Sequence, residues 1–114
     1  MVWLGIMAQD LDRDMSRRLR VEEGSGIFVA MTMPFGPADD QGIMIGDIIH
    51  SIDGTAVTST EDVKGILASH DIGDAVVIEL SRDGIMKTLE IKLGERKKDS
   101  PAGQMTSDDV LKVL

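Results

Sequence analysis

The sequence predicts a mostly β fold with a few short α-helices, and three observations carry that expectation. The apolar residues fall into runs of strand length: Ile27 to Met31, Asp47 to Ile52, Ala75 to Leu80 and Ile85 to Leu93. Two Asp-Gly pairs, Asp53-Gly54 and Asp83-Gly84, punctuate these runs where a tight hairpin turn is needed. Aromatics make up only 3% of the 114 residues (Trp3, Phe28 and Phe35), so the core has to be built from Ile, Val, Leu and eight Met. A chain of this length supports one compact domain.

In chain order, Val2 to Met7 is an apolar extended stretch broken by Gly5. Asp10 to Arg20 is charged, with Leu11, Met15 and Leu19 at four-residue spacing, and predicts a short helix. Gly24-Ser25-Gly26 is a turn before the strand Ile27 to Met31. Gly36-Pro37 opens a one-turn helix, because proline suits the first helical position, and Gly42 closes it. Asp47 to Ile52 is a strand that ends at Asp53-Gly54. Thr58 with Glu61, or Ser59 with Asp62, makes a capping box for a helix carrying Val63, Ile66 and Leu67 and stopping before Gly73. Ala75 to Leu80 and Ile85 to Leu93 form a hairpin around Arg82-Asp83-Gly84. After Gly94 the composition turns charged and proline-containing, which reads as a solvated linker. Residues 1–94 are thus the expected domain, and 95–114 a linker and tail. The tail has capping polar residues followed by Val110, Leu111, Val113 and Leu114.

Charge and composition exclude several functions. A net charge of -8 repels phosphate backbones, so nucleic acid and anionic membrane are poor partners. Without cysteine there is no thiolate catalysis, disulfide or Cys-based zinc site. No apolar run reaches the roughly 18 residues of a membrane helix, and no signal-peptide pattern is present. The start, Met1-Val2-Trp3-Leu4, reads as the interior of a domain cut from a longer protein. Asp10, Asp12 and Asp14 alternate as in an EF-hand loop, but Met15 stands where glycine is required and Val21 where glutamate is. His50 and His70 lack metal-ligand spacing, and Ser25 lies outside a G-x-S-x-G nucleophile elbow. Asp39-Asp40 and Asp108-Asp109 suit helix capping, and the methionines are scattered as core fillers. No nucleophile, base and oxyanion site come together, so the chain is not expected to be an enzyme, and neither a cofactor nor a metal is expected.

One run is far more specific than the rest. Gly36-Pro37-Ala38-Asp39-Asp40-Gln41-Gly42-Ile43-Met44-Ile45-Gly46-Asp47-Ile48-Ile49-His50-Ser51-Ile52-Asp53-Gly54-Thr55-Ala56-Val57 resembles the P-A-x-x-x-G-I-x-x-G-D-x-I-x-x-I-D-G-x-x-V signature of PDZ domains. The order of elements from Trp3 to about Gly94 is similar to the circularly permuted PDZ domains of bacterial HtrA/Deg serine proteases. In that arrangement the carboxylate-binding loop comes first, and Thr88-Leu89-Glu90-Ile91-Lys92-Leu93 supplies the last strand. The resemblance implies a PDZ-like, partly open β-barrel or sandwich of five to six strands capped by two to three helices.

The resemblance also implies a peptide groove. Its carboxylate-binding loop would be Trp3, Leu4, Gly5 and Ile6, because successive N–H groups in a Gly-containing loop make an anion nest. A ligand would add a strand along Ile6, Met7 and Ala8, and its last side chain would enter a pocket formed with Val63, Ile66 and Leu67. Thr60-Glu61-Asp62 stands where many animal PDZ domains carry a histidine selecting Ser/Thr, so the expected partners are hydrophobic C-termini or unfolded protein segments. The chain's own Val113-Leu114 is a further expected occupant, since it ends in a carboxylate after leucine. The family points to a periplasmic or envelope module that recruits substrate for, or regulates, a serine protease. The alternative is an adaptor assembling a secretion or other membrane-associated complex without a protease.

Overall fold

The computed structural model describes residues 2–95 and 112–114. Among them are strands β1 (Val2–Trp3), β2 (Ile6–Asp10), β3 (Ile27–Thr32), β4 (Ile48–Ile52), β5 (Thr55–Ala56), β6 (Ala75–Arg82), β7 (Ile85–Lys92), β8 (Gly94–Glu95) and β9 (Lys112–Val113). The helices are α1 (Arg13–Leu19), α2 (Pro37–Asp40) and α3 (Thr60–Ala68). Strands β7-β6-β4-β3-β2-β9 lie side by side in an open sheet, β5 pairs with β4, and β1 pairs with β8. Five strands have five or more residues, as the apolar runs imply. The other four are two-residue pairings, too short to leave a period in the sequence.

The longest hairpin shows why these residues form strands. From Ala75 to Leu80 in β6 burial alternates, with Val76, Ile78 and Leu80 inside and Ala75, Val77 and Glu79 outside, the period of two that a half-buried strand requires. The connecting Asp83 and Gly84 both have positive φ, 54° and 80°, as a two-residue turn matching strand twist demands. One core, including Leu4, Ile6, Ile27, Val29, Ile49, Ile52, Val63, Ile78, Leu80 and Ile91, lies under the sheet. Leu114 is part of it.

Two details depart from the sequence expectation. The boundary at residue 94 cuts a strand pair, because Gly94 and Glu95 register against Trp3 and Val2. The last residues do not extend a helix: Lys112 and Val113 are a strand against Ala8 and Met7. The rest of the expected linker and tail, residues 96–111, lies outside the described residues.

Candidate functional site

The loop between β1 and β2 is held from behind. Its Leu4 carbonyl accepts the Ala38 N–H at 2.8 Å and its Gly5 carbonyl accepts the Met33 N–H at 2.8 Å. Because a peptide plane carries its C=O and N–H on opposite sides, anchoring the Leu4 carbonyl at the start of α2 turns the Gly5 N–H outward. The N–H groups of Leu4 and Gly5 both donate to the terminal oxygen of Leu114, at 2.7 and 3.1 Å. Gly5 adopts φ +82°, and a Cβ there would lie 3.2 Å from Pro37 Cδ and 3.3 Å from Gly36 Cα. The Gly36-Pro37 pair therefore supports the loop as well as opening α2.

Strand β2 pairs with β3 on one side, leaving its other edge for β9. The Leu114 N–H donates to the Ile6 carbonyl at 2.9 Å, which continues the ladder to the chain end. Leu114 is 3% exposed and packs in the cluster of Leu4, Ile6 and Leu67. Val113 faces the opposite way, against Trp3, Met7 and Met33, as strand alternation dictates. A cavity of about 420 Å³ beside them is lined by Val2, Trp3, Lys64, Leu67, Ala68, His70, Val113 and Leu114.

Of the helix residues singled out in the sequence, Leu67 lines this cavity. Val63 is fully buried in the core and Ile66 packs against it partly buried. Lys64, which the sequence offers with Glu61 and Asp62 as a rim charge, is a wall residue. Ala68 and His70 were not legible as such, because a 3.6-residue period reports only which face is apolar and His70 lies past the end of α3. Trp3 and Met7 are mostly buried, while Ala8 is fully buried.

The two walls are tied at the far end of the groove. Asp10 Oδ1 at the end of β2 accepts the Thr60 N–H, the first of α3, at 2.7 Å. The Ser59 hydroxyl accepts the Asp62 N–H at 3.3 Å, so the second of the two capping alternatives forms. The Asp62 carboxylate accepts the Thr58 N–H and hydroxyl at 2.9 and 2.8 Å. These bonds, that from the Thr58 N–H foremost, hold its pKa below the ordinary value. Asp10→Ala removes one of two side-chain acceptors from a helix start whose first residue, Thr60, is buried. It is expected to lower unfolding free energy by about 1 kcal/mol, read from urea melts.

At the other end of α3, His70 Nδ1 contacts the Ile66 carbonyl at 2.7 Å and Nε2 lies 3.3 Å from Asp53 Oδ2. The Ile66 bond is the main cause raising the His70 pKa, with Asp53 and Asp74 adding to it and burial working against it. A raised folded pKa makes this stabilisation full below about pH 6.5 and lost as pH climbs through the folded value. Since Asp53 is 41% exposed, the effect is screened to a few tenths of a kcal/mol. Melting temperatures of wild type and His70→Gln are expected to differ most near pH 5.5 and to converge near pH 8 (about one unit below and more than one above the ordinary histidine pKa). His50 has a structural task instead, bridging the Ser25 carbonyl at 2.6 Å and Ser81 Oγ at 2.9 Å.

The comparisons agree with this architecture. The family model described as PDZ domain matches residues 2–93. The chain is 30% identical over 97 residues to a probable periplasmic serine endoprotease DegP-like of Pseudomonas fulva, covering 85% of this chain and 20% of that protein. It is 28% identical over 92 residues to the protein of the same name in Ectopseudomonas mendocina, covering 81% and 19%. The chain thus spans about a fifth of the length of these relatives. The HtrA-type protease AlgW, solved with a decapeptide, superposes with a TM-score of 0.76 at 28% identity, covering 84% of this chain and 30% of that one. The HtrA3 PDZ domain, solved with the phage-derived ligand FGRWV, shares the fold with a TM-score of 0.71 at 20% identity, over 82% of this chain and 85% of that one. The PDZ match spans strands β1 to β7, the supported loop and both walls of the groove, and the chain belongs to the PDZ domain family, with homology to the PDZ domains of DegP/HtrA proteases.

Proposed function

We propose that this domain binds the apolar C-terminal ends of peptides and unfolded protein segments by strand addition to β2. In this reading the Leu4 and Gly5 N–H groups take the ligand's terminal carboxylate, and Leu4, Ile6 and Leu67 enclose its last side chain. Trp3, Met7 and Ala8 form the floor and edge along which the ligand strand runs. One observation carries the reading: an apolar strand lies antiparallel on β2 with its terminal oxygen on two loop N–H groups. That strand is β9, Lys112–Val113, with Leu114 continuing its ladder, so the chain's own tail is one ligand of the proposed kind.

The names of the DegP-like relatives support a periplasmic setting. A chain spanning a fifth of their length serves there as the recruiting or regulatory module of a serine protease, with proteolysis residing outside these residues. The short interface suits roughly micromolar affinity, since ordering the peptide offsets much of the contact energy. Fluorescence polarisation with paired peptides ending in Val-Leu, one with a free carboxylate and one amidated, tests the carboxylate site. The acid is expected to bind about ten- to a hundredfold more tightly, the worth of losing a charge-assisted hydrogen bond. Equal affinities would reject it. A competing tail weakens both peptides alike and leaves their ratio unchanged.

A further inference from the structure

We propose that residues 112–114 act as an intramolecular competitive inhibitor of the groove, so that any external peptide must displace them. This rests on the peptide-binding reading above and adds to it who occupies the site first. Three observations point the same way. Lys112 and Val113 occupy the free edge of β2 in register with Ala8 and Met7. The terminal oxygen of Leu114 takes both loop N–H groups that a ligand carboxylate would need. The Leu114 side chain is 3% exposed within the main core cluster, so the apolar pocket is filled as well. A second peptide has neither edge, carboxylate site nor pocket while the tail is seated.

Covalent connection makes this occupancy effective. Residues 96–111 join Glu95 to Lys112, and such a stretch spans up to roughly 55 Å when extended. The longest dimension of the molecule is 36 Å, so the tail can be the chain's own. Glu95 itself pairs with Val2, beside the carboxylate loop, so the connection starts close to the site it returns to. A covalent link of this length presents its end at an effective concentration of about millimolar. Against an intrinsic dissociation constant of roughly micromolar to ten micromolar, the seated form outnumbers the open form by about a hundred to one or more. Apparent affinity for an external peptide falls by the same factor.

Two variants of the full chain test this. Leu114→Asp removes the apolar anchor, and a chain extended by Gly-Ser-Gly after Leu114 removes the carboxylate while keeping every native residue. The probe is the labelled peptide Met105–Leu114 with a free carboxylate. Both variants are expected to bind it about a hundredfold more tightly than the wild type, whose apparent affinity does not change with its own concentration. Affinities within about twofold across all three proteins, with the acid-over-amide preference intact, would overturn the inference and leave the peptide-binding reading standing. Inhibition that grows with protein concentration would assign the tail to a second copy and overturn the intramolecular form. Loss of the acid-over-amide preference in the extended chain would sink both.

Discussion

Arg82→Ala is expected to lower the unfolding free energy by about 3–5 kcal/mol, the largest stability loss of any single polar substitution considered. Asp47 is fully buried, yet it is paired on both oxygens: Arg82 Nε donates to Oδ1 at 2.8 Å and Nη2 to Oδ2 at 2.7 Å. The same Nη2 donates to the Gly42 carbonyl at 2.8 Å, and the Met44 N–H donates to Asp47 Oδ2 at 2.9 Å. One guanidinium thus ties the loop after α2 to the β6–β7 hairpin. The pairing holds the arginine pKa above its already high ordinary value, the bond to Asp47 being the main cause. Alanine would leave a buried carboxylate with a single amide partner, which costs more than the pair contributes. Arg82→Lys keeps the charge but loses the fork geometry, so it is expected to recover less than half of the loss. The double variant Asp47→Leu with Arg82→Met, which removes both charges together, is expected to be milder than the sum of the single losses. Urea unfolding of the wild type, the two Arg82 variants, the double variant and its two component single variants, Asp47→Leu and Arg82→Met, reads these differences. A loss below about 1 kcal/mol for Arg82→Ala would mean that the pair is no more than a surface ion pair.

Gly5→Val is expected to reduce peptide affinity by about a hundredfold and stability by roughly 2–4 kcal/mol. A β-branched residue tolerates positive φ poorly, and the added atoms would meet Pro37 and Gly36 at 3.2 and 3.3 Å. Relief of that contact rotates the loop, and the two N–H groups converging on one oxygen lose their aim. The affinity comparison belongs in the Leu114→Asp background, because in the full chain the weakened site would also release its own tail and mask the effect. Gly24→Ala is the matched control. It has φ +73° and no atom within 4 Å of a new Cβ, so it is expected to cost about 1 kcal/mol of strain and leave affinity unchanged. Equal affinity losses at Gly5 and Gly24 would show that the Gly5 loop has no special part in binding.

Much of the fold was legible because its signals are local. Gly36-Pro37 announces a helix start by ring geometry, Asp53-Gly54 and Asp83-Gly84 announce turns by positive φ, and Ser59 with Asp62 announces α3 by the reach of a side chain to a nearby N–H. Each depends on residues within three or four positions of one another. The groove loop was placed at Leu4-Gly5-Ile6 through the PDZ signature, and the structure brings those residues to the end of the free edge of β2. The division of Val63, Ile66 and Leu67 between core and wall was not legible, since all three share one apolar face. Their separation depends on how far α3 is rotated over β1 and β2.

By itself the sequence determined the class of fold, the order of the long strands, the helix starts and the presence of an apolar set after the linker. Periodicity, turn chemistry and capping act over a few residues and survive reading in one dimension. Only the tertiary structure decided that the buried Asp47 is paired by a partly exposed Arg82, that Asp10 caps a helix fifty positions away, and that Leu114 belongs to the core. Each of those partnerships joins residues whose separation along the chain carries no information, because a charge or a side chain becomes buried only when distant elements meet. The tail shows this most directly: as sequence, Lys112-Val113-Leu114 has no period long enough to call it a strand. It becomes one because β2 offers an unpaired edge and the Leu4-Gly5 loop offers two N–H groups, neither of which exists until the sheet has formed.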